Sequence, residues 1–343
     1  MGEPLVTVVI DTYNCGEFLE EAVGSVLAQD FPAEQVEILV IDDGSTDDTA
    51  ERMKKYEDRV RTYRKPNGGQ ASAFNYGFEH AHGEIIALLD ADDVWLPDKL
   101  GRVCDTFAHH PEAGMVYHCV MQWRGEEEST VDPVFVAVSG RVVENRPDLL
   151  RYPMAGSSCL AFRREALREL LPLPEVLRSQ ADAYLTALII EVAPVVALPE
   201  FLGKYRLHGA NAFSSGTCGM SDGRIANRMC MRAALLGEIE GWFERHGHNV
   251  HAPAIEAYLK QSVKAQEVDG FLLQAPSRWR YFSHLFEYPR LYGEIMSARH
   301  RVYGYIRAFG ALFLGYHHLH LLDEVHVACK RWMGKSRGEI RPA

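Results

Sequence analysis

EIIALLDADDVWLP, residues 84–97, opens as an apolar strand and closes on three carboxylates in four positions, Asp90, Asp92 and Asp93. Like charges crowded at the end of an apolar run repel one another and lose hydration. A solvated strand-to-helix turn could use one of them as a helix cap, but capping takes one carboxylate and not three. The stretch poses a question that the rest of the chain has to answer: what cation, or what cationic transition state, do these groups face?

Working outward, apolar runs rich in β-branched residues recur at 5–10, 36–42, 60–65, 84–90 and 114–120, and read as strands. Segments with helical spacing lie between them. Phe18, Ala22 and Val26 recur every four residues beside Leu19, Val23 and Leu27, and helices are predicted again near 48–57, 70–81 and 97–109. Strand–helix alternation predicts an α/β fold, a mixed but mostly parallel sheet flanked by helices on both faces. Ligands of such sheets collect at the carboxyl ends of the strands. Those ends read Asp11-Thr12-Tyr13-Asn14, Asp42-Asp43-Gly44-Ser45 and Asp90-Ala91-Asp92-Asp93, so three acidic strand ends are expected on one edge.

After about 125 the texture changes. EEEST (126–130) reads as a loop, 133–143 as paired strands, 156–170 as strand then helix, 180–192 as a helix and 193–208 as a strand. From Ser221 on, helical punctuation prevails and no convincing strand follows. SSGTCGMSDG marks a boundary, giving an expected domain at 1–220 and a helical region at 221–343. Long amphipathic helices are predicted over GRIANRMCMRAALLGEIEGWFERHG and QSVKAQEVDGFLLQ. Such a region can line the acceptor side of a site, form a homodimer, or touch a membrane surface. The run 308–316 is too short to span a bilayer and reads as a buried or interface helix.

The formal net charge of −11 argues against nucleic acid as a partner, so an anionic ligand would need local help from a metal ion, an Arg or a helix N-terminus. Seven widely spaced cysteines without a CxxC pair read as reduced thiols of a cytoplasmic protein. The opening MGEPLVTVVID has no basic region and reads as a strand instead of a signal peptide. No GxGxxG follows a strand and no GxxxxGK[ST] is present, which argues against dinucleotide oxidoreductases and P-loop enzymes.

Two chemistries compete for the acidic turn. Asp90-Ala91-Asp92-Asp93-Val94 fits a loose DxDx[TV] pattern of Mg²⁺-dependent phosphatases with a carboxylate nucleophile. Alternatively the carboxylates hold Mg²⁺ or Mn²⁺, which binds a diphosphate in turn. In VEILVIDDGSTDDTA, Asp47 and Asp48 are accounted for by helix capping, which leaves Asp43 over. A carboxylate there can accept the N3–H of uracil or thymine, and Tyr13 offers a face for stacking a base. Gly68-Gly69 opens a helix whose free N–H groups can approach a ligand. Arg206, two residues before His208 on a strand, can pair with a phosphate oxygen. His246, His248 and His251 read as a polar loop.

Taken together, VTVVIDTYN, EILVIDDGSTDDT, NGGQASAFNYGFEHAHGEIIALLDADDVWLP, GSSCLAFRREAL, ADAYL and YRLHGANA resemble, in order, the motifs of family 2 glycosyltransferases of the GT-A fold, over about residues 4–215. The resemblance implies an inverting, metal-dependent transfer of a sugar from a nucleoside diphosphate sugar, UDP-linked first and dTDP-linked second, to a hydroxyl acceptor. By that resemblance Asp11, Thr12 and Tyr13 match the base-binding segment, and Asp43 the base-reading carboxylate. Asp90 and Ala91 match positions near the ribose, Asp92 the metal ligand, Asp182 the catalytic base, and His208 a further metal or diphosphate contact. The first motif departs from the commoner Pro-Thr-Tyr, and no QxxRW follows Asp182, which speaks against a processive synthase. A phosphatase or nucleotidyltransferase, and a non-catalytic sugar-nucleotide-binding scaffold, are the alternatives. Location is expected in the cytoplasm, with peripheral contact at the inner face of the membrane as a variant.

Overall fold

Val8, Val9 and Ile10 are all completely buried, because successive side chains of this strand enter cores on opposite faces of one sheet. In the computed structural model the described residues are 4–124, 127–129, 139–140, 156–208, 222–248 and 298–314, with single positions at 256, 259, 279, 282, 285 and 286. The first half alternates as predicted: β1 (Val6–Thr12), α1 (Gly16–Leu27), β2 (Val36–Asp42), α2 (Thr49–Met53), β3 (Arg61–Arg64), α3 (Gln70–His80), β4 (Ile85–Asp90), β5 (Val94–Trp95) and α4 (Lys99–His109). Then come β6 (Met115–Arg124), β7 (Glu127–Ser129), β8 (Leu160–Arg163), α5 (Arg164–Arg168), α6 (Ala181–Val192) and β9 (Val195–Arg206). Two longer helices follow, α7 (Asp222–Arg245) and α8 (Ala298–Leu314). Helix α2 is shorter than the predicted 48–57 because the chain tightens into a 3-10 turn at Lys54–Tyr56.

The sheet runs β3-β2-β1-β4-β8-β6-β9-β5, with β7 on β6. Strands β1–β4 are mutually parallel, β8 is antiparallel to both of its neighbours, and β6 is parallel to β9. Parallel pairing sets Asp11 opposite Asp90 and Thr12 opposite Asp42, so the acidic ends do share one edge. Strand β9 contains Pro199, which lacks a ladder donor. The register against β6 shifts in its vicinity, from His118↔Leu198 to Cys119↔Phe201, which accommodates it. Beyond that irregularity β9 pairs with the two-residue strand β5, Val94 with Lys204 and Trp95 with Gly203. This pairing is what carries the end of β9 to the acidic turn.

The chain forms two compact units, Met1–Asn211 with Met231–Lys260, and Ala212–Cys230 with Gln261–Ala343. The single cut expected at 220/221 is thus not where the units divide. Leu235, Ile239, Trp242 and Phe243 of α7, at helical spacing, are buried in the same core as Val9, Phe74 and Leu188. The predicted paired strands at 133–143 lie outside the described residues apart from 139 and 140, where Gly140 bridges Val195. The predicted helix at 261–274 lies outside them as well, as does His251. In the second unit, α8 ends with Ala308 buried and Phe309 and Phe313 exposed.

Candidate active site

Asp11 and Asp90 stand side by side at the ends of β1 and β4, and each has a buried Oδ1 without a hydrogen-bond partner. Burial pushes the Asp11 carboxyl up to about 7, and the charges of Asp92 and Asp182 add to that. Burial likewise holds Asp90 well above the carboxylate range, with Asp11, Asp93, Asp92 and Asp182 all repelling its charge. Four carboxyl groups from β1, the acidic turn and α6 therefore feel one another across one cleft. They cannot all ionise near neutral pH without a cation among them.

The turn itself is built as a bracket. Ser158, in a 3-10 turn before β8, accepts the Asp90 N–H at 3.1 Å and donates to Asp93 Oδ2 at 2.5 Å. Its carbonyl accepts Trp95 Nε1 at 2.9 Å and Lys99 Nζ at 2.7 Å. Lys99 is fully buried with its nitrogen 3.5 Å from the centre of the Trp95 ring, and burial pushes its pKa well below the usual value. From the other side, the Arg206 N–H donates to Asp93 Oδ1 at 2.9 Å and Arg206 Nε to the Asp92 carbonyl at 2.8 Å. Both oxygens of Asp93 are thereby engaged, and burial with the neighbouring Asp92 charge raises it to about 7. Asp92 Oδ2 lies 2.8 Å from His208 Nε2. One oxygen each of Asp90, Asp92 and Asp93 falls within 4.8 Å of the others, the spacing a small cation can bridge.

Arg206 differs from the expected phosphate partner. Its Nη2 donates to Glu21 at 2.7 Å, and the guanidinium rests 3.9 Å from the Trp123 ring centre and 4.7 Å from that of Phe18. It is committed to holding the turn. Gly69 also departs from the reading of free N–H groups. The Gly68 and Gly69 amides donate to Asp43 at 2.9 and 2.7 Å, and Gln70 N donates to the Arg178 carbonyl. Glycine is required at 69 all the same: φ is +86°, and a Cβ would meet the Arg178 Cα at 2.5 Å.

Asp43 is buried and also accepts Lys65 Nζ at 2.7 Å. A carboxylate offers about four acceptor positions, so one remains for a ligand donor. Tyr13, next to left-handed Asn14, is 49% exposed, and its ring is available to a base. Thr12 and Ala91 are buried, and Thr12 contributes its carbonyl, which accepts the Asp43 N–H at 2.9 Å.

Asp182 opens α6, just after Gln180 in the left-handed region (φ +65°). Burial raises its pKa, while N–H groups of Ala183 (2.8 Å to Oδ1) and Ser157 oppose the shift. Gln70 ties this end of α6 to the rest: its Oε1 accepts the Ala181 N–H at 3.0 Å and its Nε2 donates to Ser157 Oγ at 3.2 Å. Sequence reasoning assigned no role to Ser158 or Gln70. The available signals were the hydroxyl pair Ser157-Ser158 ahead of the apolar β8 and the amide following Gly68-Gly69. The histidines of the predicted polar loop serve locally: His246 stacks on Trp242, and His248 lies 3.9 Å from Glu191.

The family model "Glycosyl transferase family 2" matches residues 7–171. An uncharacterized glycosyltransferase of Nostoc sp. is 33% identical over 226 residues, covering 63% of this chain and 69% of its own length. The chain belongs to glycosyl transferase family 2. As a member of that family it is a glycosyltransferase, and its sheet and flanking helices form a GT-A fold. Two solved structures share that fold. S. aureus TarS in complex with UDP-GlcNAc has a TM-score of 0.58 at 19% identity, covering 92% of this chain and 90% of that one. The Pyrobaculum calidifontis mannosyltransferase in complex with GDP-Man and Mn²⁺ has a TM-score of 0.51 at 20% identity, covering 91% and 88%.

Proposed function

We propose that this glycosyltransferase moves a sugar from a UDP-sugar, with a dTDP-sugar as the second choice, to a hydroxyl acceptor with inversion. One observation carries the reading: the charge of Asp182 is felt at Asp11 and at Asp90, on the same cleft that holds Asp92 and His208. A base and a diphosphate site must flank one anomeric carbon, and that convergence supplies both. Asp43 and Tyr13 receive the pyrimidine, the first through its remaining acceptor position and the second by stacking. The UDP-GlcNAc complex of TarS supports a nucleotide-sugar donor.

The orphaned Oδ1 atoms of Asp11 and Asp90, and an all-oxygen donor set beside one imidazole, fit Mg²⁺ or Mn²⁺. Asp92, Asp90 and His208 would hold the ion, which when bound neutralises charge on the departing diphosphate. Asp93 and Arg206 keep the turn in shape. Asp182 takes the proton of the incoming hydroxyl; burial raises its basicity towards the operating pH, which favours that transfer.

Asp182→Asn tests the assignment. Turnover is expected to fall by about 10²–10⁴, the usual worth of a positioned base, while UDP affinity stays within about twofold. Product analysis should find UDP together with a new glycoside. Free phosphate as the product, or unchanged transfer by Asp182→Asn, would overturn the reading.

A further inference from the structure

Helix α8 is apolar on two sides, and only one of them is used. Its inner side packs on a ladder of rings: Phe286 lies 5.0 Å from Tyr305 and Phe282 5.2 Å from Phe309 between ring centres, with Ala308 fully buried. On the outside, Val302, Ile306, Phe309 and Phe313 are 58, 52, 50 and 76% exposed. The spacing i, i+4, i+7, i+11 keeps all four within an arc of about 60° on a helix of 3.6 residues per turn. Trp279, beside Phe282 in the ring ladder, is 67% exposed. Packing within this unit has no need of such a stripe, and continuous exposed apolar surface marks an interaction face.

Charge identifies the occupant. The chain carries a formal net charge of −11, yet from residue 275 onward it has eleven Lys and Arg against five Asp and Glu. Within α8 the charged residues are Arg299, Arg301 and Arg307, with no acid. A helix of 17 residues is about 26 Å long, and no described helix is long and apolar enough to cross a membrane. An exposed aliphatic and aromatic stripe on a basic helix that cannot span is the pattern of a helix lying in the plane of a bilayer interface. A protein partner of matching acidity would account for the charge but not for a straight apolar row flanked by Trp, the residue favoured at headgroup depth.

We infer that α8 docks on an anionic lipid surface, sinking Val302, Ile306, Phe309 and Phe313 to the acyl boundary, with basic residues of the 275–343 segment on the headgroups. This does not depend on the donor or on the base, because docking involves no nucleotide. The experiment uses the full chain without nucleotide, sedimented with vesicles of phosphatidylcholine alone and of phosphatidylcholine with 30% phosphatidylglycerol. Binding is expected to be at least tenfold stronger to the anionic vesicles and to weaken with added NaCl, since each basic residue near such a surface is worth about fivefold in affinity. Val302→Glu/Ile306→Glu should lower the partition coefficient at least tenfold with an unchanged circular dichroism spectrum and melting temperature. Val302→Ser/Ile306→Ser, which adds no charge, should lower it in the same direction if the glutamates disturb folding. Equal or absent binding to the two vesicles would overturn the inference. So would vesicle binding that neither double variant alters, or a concentration-dependent dimer that the variants dissolve without any effect on vesicle binding.

Discussion

Ser158 shows how much of the site hangs on one hydroxyl. It joins the Asp90 amide to the Asp93 carboxylate, both buried, so Ser158→Ala leaves a donor and an acceptor unpaired at once. Each orphaned group costs about 1–3 kcal/mol. The variant should melt several degrees lower and bind Mn²⁺ more weakly in a titration without nucleotide; unchanged Mn²⁺ affinity would count against its role in shaping the turn. Asp11 gives a pH signature. Its folded pKa is raised from 3.8 to about 7, so between those values the folded chain holds a proton that the unfolded chain has released. Stability from this group therefore declines as pH climbs through that window. Asp11→Asn removes the titration, so chelator-treated wild type should lose more stability than the variant between pH 4.5 and 7.5, a difference of a few kcal/mol at most, measured by urea melts at each pH. The acidic strand tips were legible because each carboxylate ends an apolar run. The bracket was not: Ser158 meets Asp90 across 68 positions and Arg206 meets Asp92 across 114, and such pairings leave no local pattern.

At the scale of elements, β5 and α7 depart most from what a one-dimensional reading suggests. A two-residue strand is below the length at which alternation can be seen, yet β5 is the piece that brings Arg206 and His208 to the turn. The glycine pair before α3 looked like a ligand cradle, and its amides are instead taken up by Asp43, a partner 25 residues earlier for Gly68 and 26 for Gly69. Helix α7 was legible as a helix from its periodicity. Which core it joins was not, because periodicity gives the buried face but not the neighbour. Ile239 is fully buried in the core that includes Leu188 and Phe74. Ile239→Ala should cost about 2–5 kcal/mol by chemical denaturation of the unit that holds the sheet. A loss below 0.5 kcal/mol would place α7 outside that core.

For the whole molecule, the most informative measurement is a thermal-shift series with UDP-, dTDP- and GDP-sugars, each with and without Mn²⁺. A ligand at about a hundred times its Kd adds about 2.7 kcal/mol of stability. The largest shift is expected with a UDP-sugar and Mn²⁺ together; a shift confined to GDP-sugars would remove the pyrimidine from the account of Asp43. The strand–helix alternation read from the sequence holds across the first unit, because both faces of a parallel sheet demand apolar strands and amphipathic helices that show in one dimension. Donor and acceptor preference is set by loops whose contacts come from scattered positions, and no periodicity encodes them.

Asp11 and Asp90 face each other only because β1 and β4 pair in one particular alignment. Sliding one strand by a single residue would turn its carboxylate to the opposite side of the sheet. A molecule with that error has no partially working site; it has none. Gentle heat damage should therefore reduce the number of competent molecules counted by tight-binding titration, while each survivor keeps its full turnover.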